Sequence, residues 1–223
     1  MQHTKALIPT PAKWIIYSFF GSNLATFMVM PIMAVYLSTT LGYSGEQVAM
    51  VVSLYFCMGR LTPILVGALS DKFGSYSFIY CGLTLRALGF LAFPITDSFT
   101  TVCAAAVAIG LGGACFETPS YSLIQYVDSK IKDRCVVMLN MGLNLGVILG
   151  PLVGSLISMI SLSIPFYLSG CLFLLLAMGI FVSPKFDAIK LNASSIKSIF
   201  KQPFHNTAFI FLLFIAFPWF TVF

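Results

Sequence analysis

Gly67-Ala68-Leu69-Ser70-Asp71-Lys72-Phe73-Gly74 is a short turn-forming stretch set between two long apolar runs, residues 46–69 and 77–95. A helix needs about 20 apolar residues to cross roughly 30 Å of hydrocarbon, and each run is long enough. Outward from this pair, four more runs of the same kind occupy residues 14–37, 100–124, 136–160 and 164–182. A seventh starts near residue 206 and continues to Phe223. The expectation is an all-α membrane protein with six transmembrane helices and an incomplete seventh. Composition agrees, because 59% of the 223 residues are hydrophobic and only 9% are charged. Soluble domains carry about 25% charged residues, so most of this surface must be solvated by lipid.

The loops fix a threading. Lys5 and Lys13 precede the first run, Lys72 follows the second, and Lys130, Lys132 and Arg134 follow the fourth. Lys185, Lys190, Lys197 and Lys201 follow the sixth, whereas the loops after the first, third and fifth runs have no Lys or Arg. By the positive-inside rule the basic side is cytoplasmic, which places the N-terminus inside a multi-pass chain. The net charge of +5 does not indicate nucleic acid, because no basic stripe is present. Residues 1–182 read as one six-helix bundle, 183–205 as a polar, basic cytoplasmic linker, and 206–223 as the incomplete seventh helix. Runs one to three and runs four to six are odd-numbered triplets, so they are related by inversion, as in many transporters.

The six cysteines are scattered and form no C-x-x-C pair, and the two histidines, His3 and His205, lie at the polar ends. Neither a metal site nor a cofactor is indicated. No H-E-x-x-H sequence or phosphate-binding loop supports a membrane enzyme or an ATP-driven pump.

Residues 67–74 resemble the signature loop of the major facilitator superfamily, G-x-L-a-D-r-x-G-r-k. On this reading Gly67 allows close helix approach, Asp71 meets a helix N-terminus or an arginine, Lys72 supplies the basic position, and Gly74 makes the turn. The resemblance implies a loop that helps latch two halves of a transporter. Ser75 and Tyr76 depart from it where the family has basic residues. The fifth run carries Gly142 and then Gly146-x-x-x-Gly150-Pro151-x-x-Gly154, similar to the antiporter motif of the drug:proton branch. Glycines four apart form a nearly straight groove that permits close helix contact. The fourth run contains Gly110-Leu111-Gly112-Gly113, similar to the family's fourth-helix motif, but Ala106 stands where the family has arginine. The proton-relay role of that arginine is therefore not carried over. Pro31 resembles the proline near the outer end of the family's first helix.

Three ionisable residues lie inside the runs: Arg60, Arg86 and Glu117. Each costs roughly 2.5–3.5 kcal/mol at a helix centre on insertion scales unless paired or hydrated. At about 1.5 Å per residue they lie some 10–13 Å from the cytoplasmic end, at one level. Glu117 is expected to pair with Arg86 or Arg60 and to bind a proton or a cationic substrate; the alternative is a purely structural ion pair. Asn23, Asn140 and Asn144 are the other polar candidates, for a wet pathway or for interhelical hydrogen bonds.

The resemblance implies the N-terminal half of a secondary transporter in a cell membrane, of the bacterial inner-membrane kind. Its expected activity is proton-coupled efflux of a small molecule or drug by alternating access. Its partners would be substrate, protons, the bilayer and a missing C-terminal six-helix half, since family members have about twelve spans. The alternatives are an uptake carrier for a sugar, metabolite or ion, or a truncated fragment with no transport activity by itself.

Overall fold

The computed structural model describes residues 8–186; the seventh run and most of the linker lie outside the described residues. Within them the chain forms α1 (Thr10–Val35), α2 (Gly45–Leu61), α3 (Pro63–Phe73), α4 (Ser75–Ala92), α5 (Phe99–Gln125), α6 (Ser129–Ser158) and α7 (Ile164–Val182). Five helices are long and apolar enough to cross a membrane, and α2 with α3 supplies a sixth crossing as a bent pair. The described residues thus form an all-helical membrane bundle.

The run 46–69 is not one straight helix. It breaks at Thr62, and α2 and α3 meet at 50°. Pro63 opens α3, lacks an N–H and excludes the carbonyl one turn earlier, so the ladder cannot pass through. Thr62 donates its hydroxyl to Met58 O at 2.5 Å, satisfying a carbonyl near the break. Pro151 and Pro31, by contrast, sit inside continuous helices. Five residues after Pro31, α1 gives way to a π-helical turn over Tyr36–Thr40. The fifth crossing also starts earlier than 136. α6 begins at Ser129, with Asp128 accepting from Lys130 N at 2.9 Å, so Lys130, Lys132 and Arg134 lie on its first turns.

The packing follows the inverted triplets. α1 packs on α6 as α5 packs on α2 and α3; α1 packs on α7 as α5 packs on α4; and α4 packs on α7, a pairing that maps onto itself. Exchanging the two triplets therefore leaves the set of neighbours unchanged, as an inverted repeat requires.

Lipid tails are as apolar as leucine, so close packing and hydrogen bonds, more than apolar burial, hold such helices together. The glycines show where. A Cβ at Gly146 would lie 2.6 Å from Asn23 Cβ, and one at Gly150 2.7 Å from Phe27 Cβ. At Gly154 it would collide with Met28 O. The stripe on α6 is therefore filled by the backbone of α1. On the other side of the bundle, a Cβ at Gly82 would lie 2.6 Å from Gly112 O, and one at Gly89 2.9 Å from Ala105 O. Stacked rings, Phe90 on Phe173 at 5.4 Å and Phe93 on Phe166 at 5.2 Å, fill the remaining depth. Ser169 Oγ donates across to Ala25 O at 2.7 Å, tying α7 to α1.

Gly67 is a correction to the reading of the signature loop. Its Cβ would lie 3.6 Å from Thr118 Cγ2, an ordinary contact, so no close approach depends on it. Gly74 does require glycine, with φ +99° between α3 and α4. Gly67→Ala is expected to change stability by less than about 0.5 kcal/mol. Gly74→Ala should cost about 1–3 kcal/mol through backbone strain. Thermal unfolding of the two purified variants in detergent checks the contrast.

Candidate functional site

Arg86 is the centre of the site. It lies in the second half of α4, 4% exposed, and the contacts that hold it come from three other helices. Nη1 donates to Ser22 Oγ on α1 at 2.7 Å. Nη2 pairs with Glu117 Oε1 on α5 at 3.5 Å. The guanidinium stands 5.3 Å from the Phe173 ring centroid on α7, a cation–π distance. Nε is buried without an acceptor. The glycine cluster makes the room: a Cβ at Gly113 would lie 2.8 Å from Nη2, and one at Gly112 3.0 Å from Arg86 Cγ. Gly110 faces the other way, where a Cβ would strike Tyr55 O on α2. Three glycines in four residues thus let α5 touch α4 and α2 at once.

Beside this pair lies a cavity of about 400 Å³ lined by residues of α1, α2, α4, α5 and α6, within the size range of small-molecule sites. Arg60, Arg86 and Glu117 all line it, with Asn23, Thr26 and Tyr55 as neutral polar groups and Phe27, Phe56 and Met30 as apolar ones. Glu117 is 47% exposed on its side chain, so one partner of the ion pair is buried and the other faces the cavity. Such a pair is a place where a proton or a substrate group can compete for the carboxylate.

The other sequence candidates divide. Asn23 lines the cavity, and its Nδ2 is spent on Phe19 O one turn earlier at 2.8 Å. Asn140 and Asn144 are exposed on α6 and are not among the cavity-lining residues; that helix contributes Leu143 instead. Asn140 Oδ1 accepts from Tyr121 OH at 3.4 Å, an interhelical hydrogen bond. Asp71 is half-buried, and among the described residues no hydrogen bond or ion pair reaches it. Lys72 caps the Phe73 ring at 5.2 Å. Gly146, Gly150, Pro151 and Gly154 lie away from the cavity, in or beside the α1 interface. Ser22, Thr26 and Tyr55 are site residues the sequence reading missed. Their one available signal was the polar trio Ser22, Asn23 and Thr26 within an otherwise apolar run.

The fold and site define a polytopic helical membrane protein with a charged pair beside a cavity. The chain belongs to the Major Facilitator Superfamily, whose family model matches residues 15–223. Over 119 residues it is 31% identical to the multidrug resistance protein MdtH of Aeromonas hydrophila, a match covering 53% of this chain and 30% of that protein. Over 106 residues it is 31% identical to an MFS-type transporter of Mycobacterium tuberculosis, covering 48% and 25% respectively. The fold is also that of a solved peptide transporter POT in complex with sulfate, with a TM-score of 0.73 at 20% identity, over 97% of this chain and 48% of that one. The chain thus spans less than half of the solved transporter, and its matches take in 25–30% of these two curated relatives.

Proposed function

We propose that this bundle is the N-terminal half of a proton-coupled secondary transporter that moves a small molecule by alternating access. The observation that carries the proposal is the Arg86–Glu117 pair, placed on the wall of a cavity inside an apolar bundle. Ionisable groups at that depth are costly to insert and are by default functional. In this reading Glu117 carries the proton, Arg86 and Ser22 position it, and the cavity receives the substrate. A second six-helix half completes the pathway. α2 has one buried residue, Val51, and α6 has the least buried apolar span, so these two helices have faces for it to cover. The basic side is placed in the cytoplasm, and the membrane is the bacterial inner membrane.

The direction we propose is efflux, which the name of the MdtH relatives supports. One observation favours a second reading, in which substrate and proton move together: Arg60 and Arg86 both line the cavity, and a guanidinium can receive an acidic group of a substrate. Membrane vesicles holding the complete transporter test the common core of both readings. A proton gradient of either orientation should drive net movement of a labelled substrate, and dissipating it should stop that movement. Movement indifferent to the gradient contradicts the proposal.

A further inference from the structure

We infer that the outer surface of the bundle carries a site for one anionic phospholipid, set between the start of α4 and the end of α7. The inference does not depend on the transport reading and uses no residue of the central cavity. A separate cavity of about 210 Å³ lies there, lined by Tyr76, Ser77 and Tyr80 of α4, Ile180 and Phe181 of α7, and Lys185 just beyond α7. Ile180 is buried, whereas Ser77, Tyr80, Phe181 and Lys185 are exposed, so the cavity opens on the surface of the bundle.

Three observations carry the inference. The first is a cation whose backbone is held on both sides. Ser183 N donates to Gly179 O at 3.0 Å and Ser183 Oγ to Ile180 O at 2.8 Å, which closes α7. Pro184 follows, with one backbone angle fixed by its ring. Phe186 N then donates to Tyr76 OH at 3.1 Å and ties the chain back to α4. Lys185 stands between these ties, with Nζ 6.0 Å from the Tyr76 ring centroid. An ammonium against a ring still has N–H donors for a phosphate oxygen. The second observation is a change of polarity with depth. Tyr76, Ser77 and Lys185 lie at the basic end of the bundle, and Tyr80 lies one turn, about 6 Å, deeper. Its ring meets that of Phe181 at 5.7 Å. Polar groups thus sit outside a pair of rings, the order in which a phospholipid presents its headgroup and acyl chains. The third is a track. Phe181, Met178 and Leu174 are exposed on α7 at the spacing of one helix face, leading from the cavity toward the middle of the span. Lipid is the solvent of this surface, and the lysine selects a negative headgroup. Basic pockets between membrane helices on the cytoplasmic side recur as sites for such headgroups.

The test is native mass spectrometry of the purified protein in detergent, titrated with dioleoyl phosphatidylglycerol or dioleoyl phosphatidylcholine. The two lipids share their acyl chains and differ in headgroup charge. The first phosphatidylglycerol should bind at least about tenfold more tightly than the first phosphatidylcholine. Lys185→Gln should bring that ratio close to one, and Lys185→Arg should keep it. Lys130→Gln, exposed on α6 at the same end of the bundle, should leave it unchanged. Glycerol phosphate, a headgroup without acyl chains, should not displace the lipid at equal concentration. The inference is overturned by no preference for phosphatidylglycerol, by a preference that survives Lys185→Gln, or by one that Lys130→Gln lowers equally, since the attraction would then be diffuse. Displacement by glycerol phosphate overturns it too, because the site would then take free anions and not lipid.

Discussion

Glu117→Gln is expected to abolish gradient-driven transport in the complete transporter, lowering the initial rate by at least about tenfold, while the protein still folds. The expectation follows from the asymmetry of the pair. Arg86 is buried and held by Ser22 and the Phe173 ring, so it stays in place when the carboxylate is removed. Glu117 faces the cavity, so glutamine keeps its size and a hydrogen-bond acceptor and leaves no void. What glutamine cannot do is take up and release a proton. Counterflow, in which labelled substrate exchanges for unlabelled substrate with no net proton movement, should survive in the same vesicles. Loss of both activities would indicate a folding defect, which thermal unfolding of the purified variant detects. Retention of gradient-driven movement would make the pair a structural tie and nothing more.

The second large effect is expected in the α1–α6 interface. Gly154→Ala places a Cβ against Met28 O, and Gly146→Ala places one 2.6 Å from Asn23 Cβ. Neither obstacle is the far end of a flexible side chain, so the helices must separate, at about 1–3 kcal/mol for each substitution. Gly142→Ala, on the same stripe, meets Phe20 at 3.4 Å and should cost far less. Thermal or denaturant unfolding of the three variants in detergent gives the ranking. A flat series, with Gly142→Ala as damaging as Gly154→Ala, contradicts the packing described. The stripe acts within this bundle, where α1 fills it along its length. A role at the interface between halves would have to use the opposite face of α6, where Met141, Leu145, Ile148 and Leu152 are exposed.

Much of this was readable from residues because lipid simplifies the problem. Hydropathy alone marks where helices must lie, so the six crossings and their order follow from it. The failures are local or lateral. The second run was read as one span although Pro63 lies within it; the 50° bend depends on whether neighbours restore the ladder, and for Pro31 and Pro151 the helix continues. The glycine stripe of α6 announced a close contact, yet spacing on one helix cannot name its partner, which is α1. Gly67 looked like the same device, but its neighbour, the Thr118 methyl, leaves room for a side chain. Depth put Arg60, Arg86 and Glu117 at one level, whereas choosing the partner of Glu117 needed the lateral arrangement of α2, α4 and α5. Ser22 carried no signal of its own, since a hydroxyl in a membrane helix commonly bonds its own backbone, as Thr26 does to Ser22 O at 2.8 Å. Asn140 and Asn144 share a helix face, but that face does not reach the cavity. The linker and the run from residue 206 lie outside the described residues.

The most direct measurement of the central claim is infrared difference spectroscopy of the purified protein in lipid, recorded before and after acidification. If Glu117 exchanges a proton while paired with Arg86, a carboxylic acid C=O band should appear on acidification, shift on isotopic labelling of glutamate, and be absent in Glu117→Gln. A spectrum in which wild type and Glu117→Gln are identical would contradict the account, because Glu117 would then exchange no proton.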